Sequence, residues 1–366
     1  MTKTIKAPFR YDHVGSFLRP QVLKEARSKF QKNEITYAEL KKVEDEEIIR
    51  LIEKQKEIGV LSITDGEFRR SWWHFDFLGG LEGMEYYEKD HGLNFHNLET
   101  RKEGIRVVGK IDFGHHPFLD HFKFVKEHAG ESTVKFTIPS PNMLHARADK
   151  NTEIYATEEE LIEDTIIAYQ KGIQAFYDLG CRYLQLDDTA WASLFSDETR
   201  AKLVSEGKDP QKFMDTLQYV INESIKNKPA DMTITMHICR GNYKSTFHSS
   251  GGYDFAAKVI FGGLNVDGLF LEFDDERSGS FEPLKYVNRP DLKVVLGLVT
   301  SKFGKLEDKE SIKTRIHEAA QYVSLDQLCL SPQCGFSSTE DGNILEEDNQ
   351  WQKLSLIKEI AEEVWE

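Results

Sequence analysis

Eight short, largely apolar stretches, alternating with helix-like patterns, constrain this chain more than any other feature. They are "YDHVGSF" (11–17), "LSITDG" (61–66), "VKFTIP" (134–139), "YLQLDD" (183–188), "TITMHI" (233–238), "GLFLEF" (268–273), "KVVLGLV" (293–299) and "QLCLSP" (327–332). Amphipathic segments lie between most of them. In 38–58, Leu40, Val43, Ile48, Leu51, Ile52 and Ile58 recur at helical spacing, and Gly59 ends the pattern. Thr157 with Glu160 predicts a capping box opening a helix that stops at Gly180, and Asp308 predicts the N-cap of a later one. Such alternation predicts an α/β fold, a (β/α)8 TIM barrel, although a doubly wound open sheet would use the same pattern.

Residues 72–112 break the alternation. They are aromatic and charged, with a strand expected over 105–112, and predict an insertion after the second strand. Its aromatics (Trp72, Trp73, Phe75, Phe77, Tyr86, Tyr87) are expected to pack the insertion on the barrel; a lid or flat wall for a ring-bearing substrate is the alternative. No low-complexity tract or Pro/Gly-rich linker divides the sequence, so residues 1–366 are expected to form one barrel domain, with 350–365 packed outside it or extending it.

The formal net charge of −15 argues against nucleic acid or an anionic membrane as partner. No stretch approaches the ~20 apolar residues of a membrane span. The opening "MTKTIKAPFRYDHVGS" lacks the apolar core and cleavage site of a secretory leader, so a cytoplasmic location is expected. Four cysteines, Cys181, Cys239, Cys329 and Cys334, are too few for a disulfide scaffold. They are then packing residues, nucleophiles or metal ligands.

A barrel places its chemistry at the C-terminal ends of its strands. There the sequence has Gly15-Ser16, Asp65-Gly66-Glu67, Asp187-Asp188, His237-x-Cys239, Glu272 and Cys334-Gly335. His237, Cys239, Glu272 and Cys334 come from strand ends that a closed barrel brings to one mouth. Two thiolates, an imidazole and a carboxylate suit tetrahedral Zn2+, whereas magnesium or calcium would want oxygen throughout. Each residue also has an ordinary reading: the cysteines as small buried hydrophobes, His237 as a hydrogen-bonded strand end, Glu272 paired with Arg240 or Arg277. Cys181 and Cys329 are expected to be packing residues.

Six motifs then resemble, in order, the C-terminal catalytic barrel of cobalamin-independent methionine synthase: "HVGSFLRP" (13–20), "TDGEFRR" (64–70), "LQLDD" (184–188), "MHICRGN" (236–242), "LFLEFDD" (269–275) and "SPQCGF" (331–336). The resemblance implies a methyltransferase of methionine biosynthesis that acts on small molecules, homocysteine and a methyl donor. It places the catalytic zinc on His237, Cys239, Glu272 and Cys334. It also implies that the Val14 backbone and the Ser16 hydroxyl hold the carboxylate of homocysteine, with Glu67 and Asp187 receiving its ammonium, a division that electrostatics favours. Turn serine, arginine-paired Glu67 and helix-capping Asp187 are the ordinary alternatives.

Two departures from the larger synthases stand out. In "GLVTSKFGKLED", Lys302 takes the place of a histidine proton donor, and His145 in "FTIPSPNMLHARAD" stands where they carry a folate-associated tryptophan. The resemblance is to the catalytic barrel alone, so their separate N-terminal barrel is not expected here. The donor is therefore open between a folate and another methyl source, including one delivered by a partner protein. Among the ligands, Glu272 is expected to be the labile one, since a hard carboxylate competes worst with an incoming thiolate. Rival readings are a zinc alkyltransferase for another thiol and a metal-free uroporphyrinogen decarboxylase-like barrel, which would need cationic groups for substrate carboxylates. A non-catalytic protein with structural zinc is a third.

Overall fold

Within the apolar stretches alternate residues differ in kind. Leu184 and Leu186 alternate with Tyr183, Gln185 and Asp187, and Ile234, Met236 and Ile238 with Thr233, Thr235 and His237. Successive side chains of a strand point to opposite faces, so one face is given to aliphatic packing and the other to polar groups. The computed structural model, which describes residues 6–92, 94–95 and 98–365, uses the strands in this way.

Seven parallel strands stand side by side in chain order: β1 (Ser62–Ile63), β2 (Thr133–Pro139), β3 (Tyr183–Asp188), β4 (Thr233–Ile238), β5 (Gly268–Glu272), β6 (Lys293–Val299) and β7 (Leu328–Pro332). Register sets Gln185 beside Thr137 and Thr235, and Asp187 beside His237. The aliphatic faces join one large core cluster with the helices; Val14, Phe270, Val295 and Cys329 form a small separate one. Burying each Leu or Ile contributes about 1.5–3 kcal/mol. The inner face forgoes much of that, so its polar groups need partners. Lys135, fully buried, has them: its ammonium lies 3.4 Å from Asp12 and bonds the carbonyl of His13.

The expected first strand is not one. Segment 10–17 instead makes isolated bridges, Tyr11 with Leu330 of β7 and Ser16 with Gly66 just beyond β1. Asp12 N–H donates to Leu330 O at 3.0 Å, and Phe17 N–H to Gly66 O at 3.1 Å. One segment thus touches both edges of the curled sheet. Gly15, at φ 140°, turns the chain between the bridges, and a Cβ there would stand 2.5 Å from Thr137 Cγ2. Gly15→Ala is therefore expected to cost about 3 kcal/mol and to lower the thermal midpoint; an unchanged midpoint would mean that this crossing is not constrained. The second stretch is also shorter than expected. Thr64 Oγ1 donates to Gly15 O at 2.7 Å and accepts Gly66 N–H, and Gly66 and Glu67 both take positive φ, so pairing ends at Ile63. Seven strands result where eight were expected.

The expected insertion strand begins earlier, at Glu103–Asp112, and pairs antiparallel with Glu82–Glu88; Ala148–Asp149 adds to its other edge. Positions 93, 96 and 97 of the insertion, and residues 1–5, which enter the leader argument, lie outside the described residues.

The helical expectations hold with one change. Tyr37–Ile58 ends at Gly59, φ 80°, and Asp308 caps Lys309–Ala319 by accepting Ser311 N–H at 2.8 Å. Thr157 accepts Glu160 N–H to open Glu158–Asp178, but the Glu160 carboxylate reaches Ala156 N–H, so only half of the capping box forms. The last helix runs Glu347–Trp365. Among the described residues no helix is long and apolar enough to cross a membrane.

Candidate metal centre

Strand parity delivers the first donors. His237 is the penultimate residue of β4, Cys239 follows that strand, and Glu272 ends β5; Cys334 lies two residues beyond β7. One donor atom from each lies within 4.8 Å of the others, and all four residues are buried. The two sulfurs are 3.7 Å apart. Two thiolates on a tetrahedral ion at ~2.3 Å would stand ~3.8 Å apart, so the spacing fits zinc.

The remaining valences agree. His237 Nδ1 is 3.3 Å from Phe270 O, and its Nε2 is buried without a hydrogen-bond partner. A ligating imidazole is usually held in this way, through its other nitrogen. Glu272 Oε1 accepts Arg240 N–H at 2.6 Å, while Oε2 is buried with no hydrogen bond and has Arg277 Nη2 at 3.5 Å. The ordinary pairings considered for Glu272 are thus present, yet they leave one oxygen without a hydrogen bond. Gly241 N–H points to Cys239 Sγ at 3.3 Å.

The protons of the group are held in common. A hydrogen bond from Cys239, with His237 nearby, pulls the Cys334 thiol well down, and the same bond and burial push Cys239 up. Burial opposes the charged imidazole, but the Cys334, Asp187 and Glu272 charges outweigh it and raise His237 to about 9. Such a concentration of negative charge suits a dication. Asn242 Nδ2 donates to Gly335 O at 2.9 Å and Ser301 Oγ at 3.2 Å, fixing the turn that carries Cys334. Asn242→Ala is expected to weaken zinc binding about ten-fold in competition with a chromophoric chelator, as for other outer partners of metal ligands; unchanged affinity would deny it that role.

Val14, Ser16, Glu67 and Asp187 line the same cavity as His237, Cys239 and Cys334. Glu67 holds a left-handed backbone, φ 62°, because Asp65 accepts its N–H and Arg19 donates to its carbonyl. Its Oε1 accepts Thr137 Oγ1–H at 2.8 Å, Arg70 is at 3.4 Å, and Oε2 is buried without a hydrogen-bond partner. Gln185 Nε2 donates both to Asp187 Oδ1 at 2.8 Å and to Val14 O at 2.7 Å. Burial, with the Glu67 charge added, pushes the Asp187 carboxyl up to about 7. Glu67 thus keeps the arginine pairing considered for it, and its free Oε2 with the raised Asp187 carboxyl makes this end of the cavity suited to a cationic or proton-donating group. Helix capping falls to Asp188, which accepts Ala190 N–H at 2.6 Å. Ser16 Oγ accepts Ser337 N–H at 3.3 Å, and a Cβ on Gly335 would stand 2.0 Å from that oxygen, which explains the glycine after Cys334.

Lys302 does not line the cavity but lies beside the donor set: its Nζ donates to Asp274 at 2.8 Å, and its charge opposes the effect of burial on the Glu272 carboxyl. The aromatics divide: Trp72 and Trp73 line the cavity, and Trp72 stacks on Tyr243 at 6.1 Å and 6°, whereas Phe75 and Phe77 are core residues and Tyr86 is half exposed. Cys181 and Cys329 are buried packing residues, as expected. Sequence reasoning assigned no role to Arg19, His74, Arg147, Thr189, Asn242 or Tyr243. Arg19 and Asn242 fall inside quoted motifs, which was the available signal; the others meet the site only through folding.

A curled parallel sheet with a cysteine–histidine–glutamate group at its C-terminal mouth defines an α/β protein with a thiol-rich group that could hold a metal ion. The profile of the family "Cobalamin-independent synthase, Catalytic domain" matches residues 11–361, and the chain belongs to that family. It is 54% identical over 363 residues to the uncharacterized protein YxjH of Bacillus subtilis, covering 99% of this chain and 96% of that one. It is 22% identical over 322 residues to the methionine synthase of Sulfolobus acidocaldarius, 88% of this chain and 84% of that one. A solved structure from Listeria monocytogenes, provisionally assigned as a vitamin-B12-independent methionine synthase, is 50% identical with TM-score 0.81 and covers 99% of both chains.

Proposed function

We propose that this protein is a zinc-dependent methyltransferase that activates the sulfur of homocysteine for methylation to methionine. One observation carries the reading: three of the four donors, His237, Cys239 and Cys334, open on the same cavity as the two buried carboxylates, Glu67 and Asp187. Membership of a family of methionine synthase-like catalytic domains supports it. In this reading segment 10–17 serves as the remaining stave of a (β/α)8 barrel, residues 72–112 are an insertion into a single domain, and the C-terminal strand ends form the active face.

The ammonium of homocysteine would lie between Glu67 and Asp187. Its carboxylate would lie on the Val14 backbone and the Ser16 hydroxyl, which leaves the thiol among His237, Cys239, Glu272 and Cys334. Zinc held by those four would supply the positive charge that keeps a thiol of pKa ~8.5 ionised near neutrality. In the displacement, the sulfur electron pair forms the bond to the methyl carbon as the donor's bond to that carbon breaks. The leaving atom keeps the bonding pair and takes a proton. The protein's share is alignment and exclusion of water. Gln185, bonded to both Val14 and Asp187, sets the two ends of the amino-acid site relative to each other. Lys302, which stands in the place of the larger synthases' histidine proton donor, would have to give up Asp274 to reach the leaving atom.

Calorimetric titration of the zinc-loaded protein tests the acceptor. Homocysteine is expected to bind at least about ten-fold more tightly than 4-mercaptobutyrate, which lacks the ammonium, and homoserine, which lacks the thiol, is expected to bind weakly. Equal binding of homocysteine and 4-mercaptobutyrate would favour the other-thiol reading; no preference for a thiol would defeat both.

A further inference from the structure

The cavity carries one charge that this chemistry leaves unused. Arg147 ends the short helix Asn142–Arg147 beyond β2 and lines the cavity with Thr189, Trp73 and His74. Its Nη2 donates to Thr189 Oγ1 at 3.0 Å, and its Nε is buried with no partner. Among the described residues no carboxylate forms an ion pair with it. The acid whose charge it feels most, Asp188, is bonded to Ser140, Asn142 and the Ala190 N–H.

A guanidinium stays charged and offers a planar fork of donors matched to carboxylate or phosphate. Leaving one partly desolvated without a counter-ion is costly, so the position makes sense if an anion arrives with a ligand. Homocysteine is not that ligand in the proposed reading, since its carboxylate is taken by Val14 and Ser16. The neighbouring wall is aromatic: His74 stands 5.7 Å from the Trp72 ring at 29° and 4.6 Å from Trp73 at 72°. Burial, with the Arg147 charge added, holds His74 well below its usual range, so it is neutral and adds no second cation.

We infer that Arg147, with Thr189, receives an oxyanion of the second substrate beside the aromatic wall. The assignment of this anion to the second substrate rests on the homocysteine reading; the anion subsite itself does not.

The test is a titration of the zinc-loaded protein, followed by tryptophan fluorescence, with benzoate, phenyl phosphate and uncharged benzamide. At least one anion is expected to bind about ten-fold or more tighter than benzamide. The tighter of the two indicates whether the natural group is carboxylate or phosphate. Arg147→Met is expected to remove the preference, and Arg147→Lys, which keeps the charge but not the fork, to keep part of it. Thr189→Val, with Arg147 in place, is expected to narrow it. Anions bound no better than benzamide, or a preference that survives in R147M, would overturn the inference. So would loss of homocysteine binding in a folded R147M protein, because Arg147 would then serve the first substrate. If instead the wild-type protein shows the preference but no homocysteine binding, the homocysteine reading falls and the anion subsite stands.

Discussion

A Cys334→Ala protein is expected to fold, to bind zinc more than about 100-fold more weakly than the native chain, and to lose methyl transfer with it, since even outer partners of metal ligands are worth about 10–100-fold. Cys334 lies on the turn after β7, outside the main core cluster, so its removal leaves only a small void. The expected stability cost is about 1–2 kcal/mol. Cys329→Ala is the matched control. That residue packs against Val14, Phe270 and Val295 on the inner side of the sheet and should lower stability while leaving zinc affinity unchanged. Equilibrium zinc competition and thermal unfolding on the two variants separate the cases. If C334A unfolds on losing the metal, the zinc is structural and the catalytic reading fails.

Asp187→Asn and Glu67→Gln are each expected to weaken homocysteine binding by about 10–100-fold, the equivalent of a charged hydrogen bond in a desolvated site. Affinity for 4-mercaptobutyrate should be unchanged or improved, because removing one of two buried carboxylates relieves their mutual repulsion. The double variant should lose less than the sum of the two, as both groups act on one ammonium. Calorimetric titration of both ligands into each variant gives the comparison. Parallel losses for both ligands would mean that the carboxylates shape the cavity and do not read the amino group.

Much of this arrangement was legible in the sequence, for reasons that can be traced to individual residues. Strand parity puts His237, Asp187 and Gln185 on one face, and "MHICRGN", "LFLEFDD" and "SPQCGF" each place a candidate donor at or just past a strand end. The first stretch misled because "YDHVGSF" has strand composition, while Gly15 at φ 140° and the buried Asp12 make it a crossing segment. No local pattern reports that. Arg147 was illegible for another reason: whether an arginine is paired depends on tertiary neighbours, and Asp149, two residues away, bonds Lys89 instead. Lys302 has Asp274 as its partner, 28 residues distant, for the same reason.

In the proposed reading this donor set activates a substrate thiol. X-ray absorption at the zinc edge, on zinc-loaded protein with and without homocysteine, tests it most directly. The free protein should show two sulfur and two nitrogen or oxygen neighbours, from Cys239, Cys334, His237 and Glu272. Homocysteine should change this to three sulfurs and one lighter atom, with Glu272 as the oxygen lost. A shell that ignores homocysteine, or a protein that cannot be loaded with zinc, would contradict the account.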